Sequence, residues 1–220
     1  MKNIAIIGAG LSGLVVARQL GHMANVTIFE KSKGVGGRIA TRRSGPYSFD
    51  HGAQFFSPKT QAFKEFLAPL ISDGHVKRWD GNFAEIVNKE IILKRKWGAA
   101  PPHYVGAPNM NSFAKQLSIG VNIQYNILIN SIARRGKIWQ IFDTNEKLLG
   151  EYDWVIVSTP PVQALQLLPK LYTEIVTRKM QSCFSLMLGF TSDLCLPFDA
   201  AVPLGEDISC LLYTSPSPRD

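Results

Sequence analysis

Residues 3–13 read Asn-Ile-Ala-Ile-Ile-Gly-Ala-Gly-Leu-Ser-Gly, and residues 26–30 read Val-Thr-Ile-Phe-Glu. The reading of these two stretches decides the fold. Asn3–Ile7 is short, apolar and β-branched, as a parallel strand covered on both faces must be. Leu11–His22 has a helical pattern, with Leu14, Val15, Ala17 and Leu20 largely on one face. Val26–Phe29 is a second buried strand that ends at Glu30. Strand, glycine turn, helix and strand in that order form the opening βαβ unit of a doubly wound α/β sheet.

The turn fits G-x-G-x-x-G over Gly8, Ala9, Gly10, Leu11, Ser12 and Gly13, with an acid 20 residues after Gly10. A glycine turn alone says little. Between a strand and a helix, and followed by a carboxylate at that distance, it specifies a dinucleotide site. Gly8 permits the tight turn. Gly10 lets a pyrophosphate approach the amides at the helix N-terminus, and Gly13 lets the helix pack close to the sheet. Glu30 is placed to accept hydrogen bonds from the hydroxyls of an adenosine ribose, and its charge disfavours a 2′-phosphate there.

Charge agrees with this reading. The 220 residues carry 24 Lys and Arg against 17 Asp and Glu, a formal charge of +7. Five of the bases (Lys31, Lys33, Arg38, Arg42 and Arg43) fall directly after the motif, with no acid among them. That location suits a phosphate-bearing ligand rather than nucleic acid. The clusters Lys94-Arg95-Lys96 and Arg134-Arg135-Lys137 read as solvated strand ends and turns. At 45% hydrophobic and 19% charged side chains the chain is globular, and it has no apolar run of the length a membrane helix needs. The three cysteines, Cys183, Cys195 and Cys210, are too few and too scattered for a disulfide scaffold or a structural zinc site. They fit a reducing cytosol, so a cytoplasmic protein is expected.

Further elements follow from pattern. Gly34–Gly52 reads as an extended loop, and Lys59–Ile71 as a helix with Phe63, Phe66, Leu67 and Leu70 on one face. Val76–Leu93 is strand-like, with turns at Asp80-Gly81 and Asn88-Lys89. Asn111–Leu117 suggests a short helix capped by Asn111 or Ser112. Val121–Ser131, Lys137–Thr144 and Leu148–Ser158 resemble the strands of a meander. Val162–Met180 reads as a helix broken at Pro169, and Ser185–Phe190 as a last strand. His22, His75 and His103 show no partner in sequence and are expected at the surface. His51 is expected to be a structural hydrogen-bonding group, and Trp79 and Trp97 to pack. No paired carboxylates, metal-ligand cluster or Ser-His-Asp set appears, so no catalytic residue is assigned.

A second glycine loop, Lys33-Gly34-Val35-Gly36-Gly37-Arg38, follows Glu30 where a plain NAD dehydrogenase would begin its next β–α unit. Glu30 with this loop resembles the FAD-binding opening of the flavin-containing amine oxidase superfamily. Phe49-Asp50-His51-Gly52-Ala53-Gln54-Phe55-Phe56 narrows the resemblance to its renalase-like branch. Tyr104-Val105-Gly106-Ala107-Pro108-Asn109-Met110 and Asp153-Trp154-Val155-Ile156-Val157-Ser158-Thr159-Pro160-Pro161 resemble that branch's later blocks, in the same order.

The resemblance implies non-covalent FAD in a Rossmann-type, p-hydroxybenzoate hydroxylase-like domain, with an interleaved and incomplete α+β substrate domain. It implies that Gly8, Ala9, Gly10, Leu11, Ser12, Gly13, Glu30, Lys31, Gly37 and Arg38 hold the ADP portion. Gly52, Ala53 and Gln54 would lie near the isoalloxazine, and Ile129 would give a backbone contact to adenine. The implied reaction is oxidation of dihydronicotinamide isomers of NAD(P)H, with oxygen as acceptor. The alternatives are an amine oxidase or desaturase sharing the same N-terminal half, or an inactive nucleotide-binding fragment. The partners expected are a small-molecule substrate (a dihydronicotinamide or an amine) and molecular oxygen, without nucleic acid or membrane. FAD-binding parts are expected at 1–70 and 104–165, and substrate-domain parts at 71–103 and 166–210. Residues 211–220, ending Thr-Ser-Pro-Ser-Pro-Arg-Asp, depart from the resemblance and read as a foreign tail. Since the resemblance implies a further FAD-contacting segment after residue 210, the chain is expected to be unstable and to retain FAD weakly.

Overall fold

The computed structural model describes residues 1–96, 101–168, 180–192, 194–205 and 210–212. Two compact units interleave along the chain: Met1–Thr41 with Ala114–Ser185, and Arg42–Phe113 with Leu186–Asp220. These boundaries follow packing, whereas the division expected from sequence follows ligand chemistry.

In the first unit, β1 (Lys2–Ile7), α1 (Leu11–Leu20) and β2 (Ala24–Glu30) form the expected βαβ opening. The helix stops at Leu20, and Gly21 donates its amide to Ala17 as the cap. A single 3₁₀ turn, Gly37–Ile39, follows.

The second unit opens at Arg42, within β3 (Thr41–Ser44), which pairs with β4 (Tyr47–Asp50) in a two-stranded hairpin turned through Gly45 at φ +55°. The extended loop expected over Gly34–Gly52 is therefore corrected. Alternating Arg, Ser and Tyr offers no apolar stripe to read, but a positive-φ glycine before Pro46 sets the hairpin. Next come α2 (Gln61–Ser72), β5 (Val76–Arg78), β6 (Asn82–Val87), β7 (Glu90–Lys96) and β8 (Tyr104–Gly106). Thr60 caps α2 by accepting the Phe63 amide. Asn88 and Lys89, with φ of 48° and 68°, close β6 onto β7 in the two-residue turn expected there. α3 (Ser112–Ser118) spans the boundary between the units.

Back in the first unit the chain forms β9 (Asn122–Tyr125), β10 (Ile129–Arg135), β11 (Ile138–Asp143), β12 (Leu148–Tyr152), β13 (Trp154–Val157) and α4 (Pro161–Leu167). The three-stranded meander expected here is corrected. Its first and last runs each split between two sheets. Asn126, at φ +58°, breaks the first, and Asp153 breaks the second by accepting hydrogen bonds from Lys2 Nζ at 2.6 Å and the Asn3 amide at 2.8 Å. β9 and β13 join β1 and β2 in a wholly parallel sheet of order β13-β1-β2-β9, while β10-β11-β12 form an antiparallel sheet.

Alternation along the parallel strands explains the core. Ala5 and Ile7 of β1, with Phe29, pack with Ile129, Ile141 and Leu167 from the antiparallel sheet and α4. α1 lies against β1 and β2 and buries Leu14 and Ala17. Covering both faces is what requires β1 to be a continuous apolar run.

In the second unit β14 (Ala200–Pro203) runs parallel to β6 and pairs with β15 (Leu211–Leu212), giving a sheet of order β15-β14-β6-β7. Ala84, Phe198 and Ala201 form its core. The strand expected at Ser185–Phe190 is not formed: 180–190 lacks regular structure, and Phe184 and Leu186 are 95% and 83% exposed. Alternation of apolar residues makes a strand only where an edge receives it, and none among the described residues pairs with this segment. The helix expected over Val162–Met180 is seen as α4. Pro169 and the remainder through residue 179 lie outside the described residues, as does Trp97.

Candidate functional site

The parallel sheet reverses its winding between β1 and β13, and in such sheets ligands lie beyond the carboxyl ends of the strands at that point. Two residues close this end. The Ser158 amide donates to the Ile7 carbonyl, and Ser158 Oγ reaches the carbonyls of Ile7 and Gly8, each at 3.0 Å. Gly8, at φ +103°, turns the chain and donates to the Phe29 carbonyl at 2.9 Å. A Cβ at Gly13 would stand 2.1 Å from the Gly8 carbonyl oxygen, so only glycine allows α1 to start this close to β1.

The structure brings the two glycine loops and the acid together. Glu30 is buried, and its carboxylate accepts the Ala9 amide at 2.7 Å and the Ser32 amide at 2.8 Å. Gly36 donates to the Ala9 carbonyl at 2.9 Å, and Gly10 and Gly36 form a parallel bridge. Gly37 follows at φ +55°, with Gly10 Cα 3.3 Å from where its Cβ would be. Gly8, Ala9, Gly10, Gly13, Glu30, Gly37 and Arg38 thus share one neighbourhood. Arg38 is exposed on the 3₁₀ turn, and Lys31 Nζ reaches Gln163 Oε1 of α4 at 3.5 Å. Ile129 is buried at the start of β10 as part of the core.

Two features fit a phosphate-bearing cofactor. α1 has no side-chain cap and no acid in its first turn, so the amides at Leu11, Ser12 and Gly13 and the positive end of the helix dipole are left for a ligand. A Cβ at Gly10 meets nothing within 4 Å, which leaves open space in front of those amides. Beside the turn, Thr159 Oγ1 is buried without a hydrogen-bond partner among the described residues. Sequence reading missed Ser158 and Thr159. Their signal was their position, directly after the apolar run Val155–Val157.

Gly52, Ala53 and Gln54 belong to the second unit. Gly52 and Ala53 are exposed and Gln54 is half-buried, in irregular chain after β4. The segment is anchored at both ends. Asp50 Oδ2 accepts the Met110 amide at 3.0 Å, and Phe56 and Tyr104 exchange backbone hydrogen bonds of 2.9 and 2.8 Å. The block around His51 and the block around Gly106 are therefore packed on each other. Phe55 lies between Trp79 and His103, and Phe56 meets Phe63, Tyr104 and Phe113. Trp79 is buried and packs as expected. His103 is corrected from a surface position: it is half-buried, its Nδ1 lies 2.7 Å from Ser57 Oγ, and burial holds its pKa below the ordinary histidine value. A half-buried ring needs partners distant in sequence, and Ser57 lies 46 residues away.

Residues 6–70 match the family described as an NAD(P)-binding Rossmann-like domain. A 52-residue stretch is 46% identical to the 4,4′-diapophytoene desaturase of Staphylococcus haemolyticus (strain JCSC1435), and a 51-residue stretch is 44% identical to that of Staphylococcus aureus (strain Newman). These matches cover 22% and 23% of this chain and about a tenth of the desaturases. Among solved structures, an Exiguobacterium sp. 255-15 protein assigned as a protoporphyrinogen oxidase is similar over 95% of this chain and 72% of its own, with a TM-score of 0.68 at 11% identity. A redesigned putrescine oxidase gives 0.58 over 76% of this chain and 59% of its own at 14% identity. At such identities the likeness is one of fold. The chain has a Rossmann-type dinucleotide-binding α/β fold, and among the described residues no helix is long and apolar enough to cross a membrane.

Proposed function

We propose that the chain binds FAD and belongs to an FAD-dependent oxidoreductase that acts on dihydronicotinamide isomers. The observation that carries the proposal is the uncapped start of α1, with open space at Gly10 and Glu30 and the Gly36–Arg38 turn around it. The amides of Leu11, Ser12 and Gly13 would receive the pyrophosphate, Arg38 would balance its charge, and Glu30 would use its remaining lone pairs on the ribose. The Gly36–Arg38 turn favours FAD over NAD, because it is bonded to the first glycine turn rather than leading into a further β–α unit. The resemblance of residues 49–56 supports the dihydronicotinamide substrate.

Held by the glycine turn, Glu30 and Arg38, FAD would supply the two-electron acceptor for the substrate's hydride, with oxygen and a solvent proton as the outlet to hydrogen peroxide. The protein's part is orientation. Anchoring at Asp50 and Phe56 would hold Gly52, Ala53 and Gln54 in one conformation for the flavin ring, and the functional division at residues 70, 103 and 165 belongs to the same proposal, as does a cytosolic setting.

A second reading, an amine oxidase or desaturase, is favoured by the stretch 46% identical to a diapophytoene desaturase. One experiment tests both. The purified chain is titrated with FAD by fluorescence quenching, and the complex is mixed anaerobically with dihydronicotinamide isomers, then with putrescine. Bleaching by the isomers alone supports the proposal. Bleaching by the amine alone favours the second reading, and no saturable FAD quenching overturns both.

A further inference from the structure

Tyr125 ends β9 in register with Glu30 at the end of β2. In a parallel pair, residues in register present their side chains on the same face of the sheet. That face is defined here, because the Glu30 carboxylate reaches the Ala9 amide of the glycine turn. The Tyr125 ring therefore stands on the ligand side of the sheet, one strand farther from β1 than Glu30.

The position is tightly specified. The Ile127 amide donates to the Glu30 carbonyl at 3.0 Å, and the Asn126 amide donates to the Ser32 carbonyl at 3.2 Å, with Asn126 in the left-handed region at φ +58°. The Ser32 amide in turn donates to Glu30 Oε1. Glu30, Ser32 and residues 125–127 thus form one stitched corner. Held there, Tyr125 is still 38% exposed as a residue. Burial and the nearby Glu30 carboxylate raise the Tyr125 hydroxyl above its ordinary value, so the ring stays neutral.

We propose that Tyr125 is an adenosine-recognition residue, its ring forming the apolar wall against which the adenine nucleoside of the dinucleotide rests. A ligand whose pyrophosphate meets α1 and whose ribose meets Glu30 runs from β1 across β2 toward β9, and the next aromatic surface on that line is Tyr125. The inference rests on the dinucleotide reading above and adds to it a residue that the motif does not contain.

The test uses the whole chain and variants Tyr125→Phe and Tyr125→Ala, titrated with ADP, FAD and FMN. Loss of an aromatic platform under a base weakens binding by about fivefold or more. Tyr125→Ala should raise the Kd for ADP and FAD by that factor and leave FMN, which lacks adenosine, unchanged. Tyr125→Phe, which keeps the ring, should bind like the unaltered chain. Ligand-free melting of each variant, with Tyr125→Leu as a bulk-preserving control, separates a lost contact from a lost fold. Should Tyr125→Ala misfold, a Tyr125→Leu chain that melts normally and loses ADP affinity supports the proposal. ADP binding by the folded alanine or leucine variant within twofold of the unaltered chain overturns it and leaves the dinucleotide site standing. No ADP or FAD binding by the unaltered chain overturns both.

Discussion

Gly13 and Gly10 stand three residues apart in one motif, yet an added methyl group should act on them in opposite ways. At Gly13 the Cβ of alanine would lie 2.1 Å from the Gly8 carbonyl oxygen and 2.8 Å from Ser158 Oγ. The first distance is about 1 Å short of the ~3.3 Å at which carbon meets a carbonyl oxygen. The obstacle is backbone, so α1 itself must move. With a backbone atom that close, the overpacking cost falls in the upper part of its range, about 2–3 kcal/mol, from which the helical preference of Ala over Gly returns up to ~1 kcal/mol. A net loss of about 1–2 kcal/mol lowers Tm by roughly 2–8 °C in a chain of this size. At Gly10 the added Cβ meets nothing within 4 Å, and φ −71° with ψ 174° suits alanine. Gly10→Ala should leave the ligand-free Tm unchanged, or raise it through a stiffer unfolded chain worth about 0.4–1 kcal/mol. Both variants should weaken ADP by roughly tenfold or more, Gly13→Ala by moving the amides and Gly10→Ala by filling the space in front of them. Scanning calorimetry without ligand and ADP titration give the four numbers. A Gly13→Ala chain that melts with the unaltered protein would refute the packing argument. A Gly10→Ala chain that binds ADP normally would refute the placement of the pyrophosphate.

Three further outcomes follow from hydrogen bonds at named atoms. Glu30→Gln keeps size but sets an NH₂ group against either the Ala9 or the Ser32 amide, leaving a donor unsatisfied at about 1–3 kcal/mol; ligand-free Tm should fall by roughly 2–12 °C before any nucleotide is added. His103 is held below its ordinary pKa by burial, so the folded state binds fewer protons than the unfolded one just below pH ~6.5. Its contribution is complete above that pH and is lost on acidification through the window, and Tm against pH should be flatter there in His103→Asn, with equal slopes counting against the assignment. The Asp153 carboxyl is held below the usual range, first by the Lys2 ammonium and then by the Asn3 amide. Its stabilisation is present above pH ~4 and lost as pH falls through the lowered value, so Asp153→Asn should melt below the unaltered chain at pH 7, and the gap should narrow steadily on acidification below pH ~4.

What the sequence made legible was local. The opening βαβ unit, α2 and the Asn88-Lys89 hairpin each carry their signal within a few residues, as glycine spacing, apolar period or turn chemistry. What it hid was allegiance. The runs over 121–131 and 148–158 each read as one strand-like stretch, apolar residues mixed with polar ones, and nothing in their composition says that each serves two sheets. The break in the second is made by Asp153 with Lys2 and Asn3, about 150 residues away in sequence. The segment 184–190 errs the other way. Phe184, Leu186, Leu188 and Phe190 alternate as a half-buried strand does, but alternation describes a face and is silent on whether a neighbouring edge exists.

The site shows the same division at the scale of single atoms. G-x-G-x-x-G and a later acid identify the ligand class, because each residue can be matched to a part of a dinucleotide. They do not disclose that Glu30 is already bonded on both oxygens to the protein's own backbone, or that Ser158 ties down the carbonyls of Ile7 and Gly8 from the far strand. Those bonds have a consequence for binding. A turn held by Glu30, Gly36 and Ser158 has little conformational freedom left to lose when a phosphate arrives, so its ordering cost falls on folding rather than on association. Stability and affinity should then respond together to Glu30→Gln and separately to Gly10→Ala, because the first residue builds the turn and the second only leaves room for the ligand.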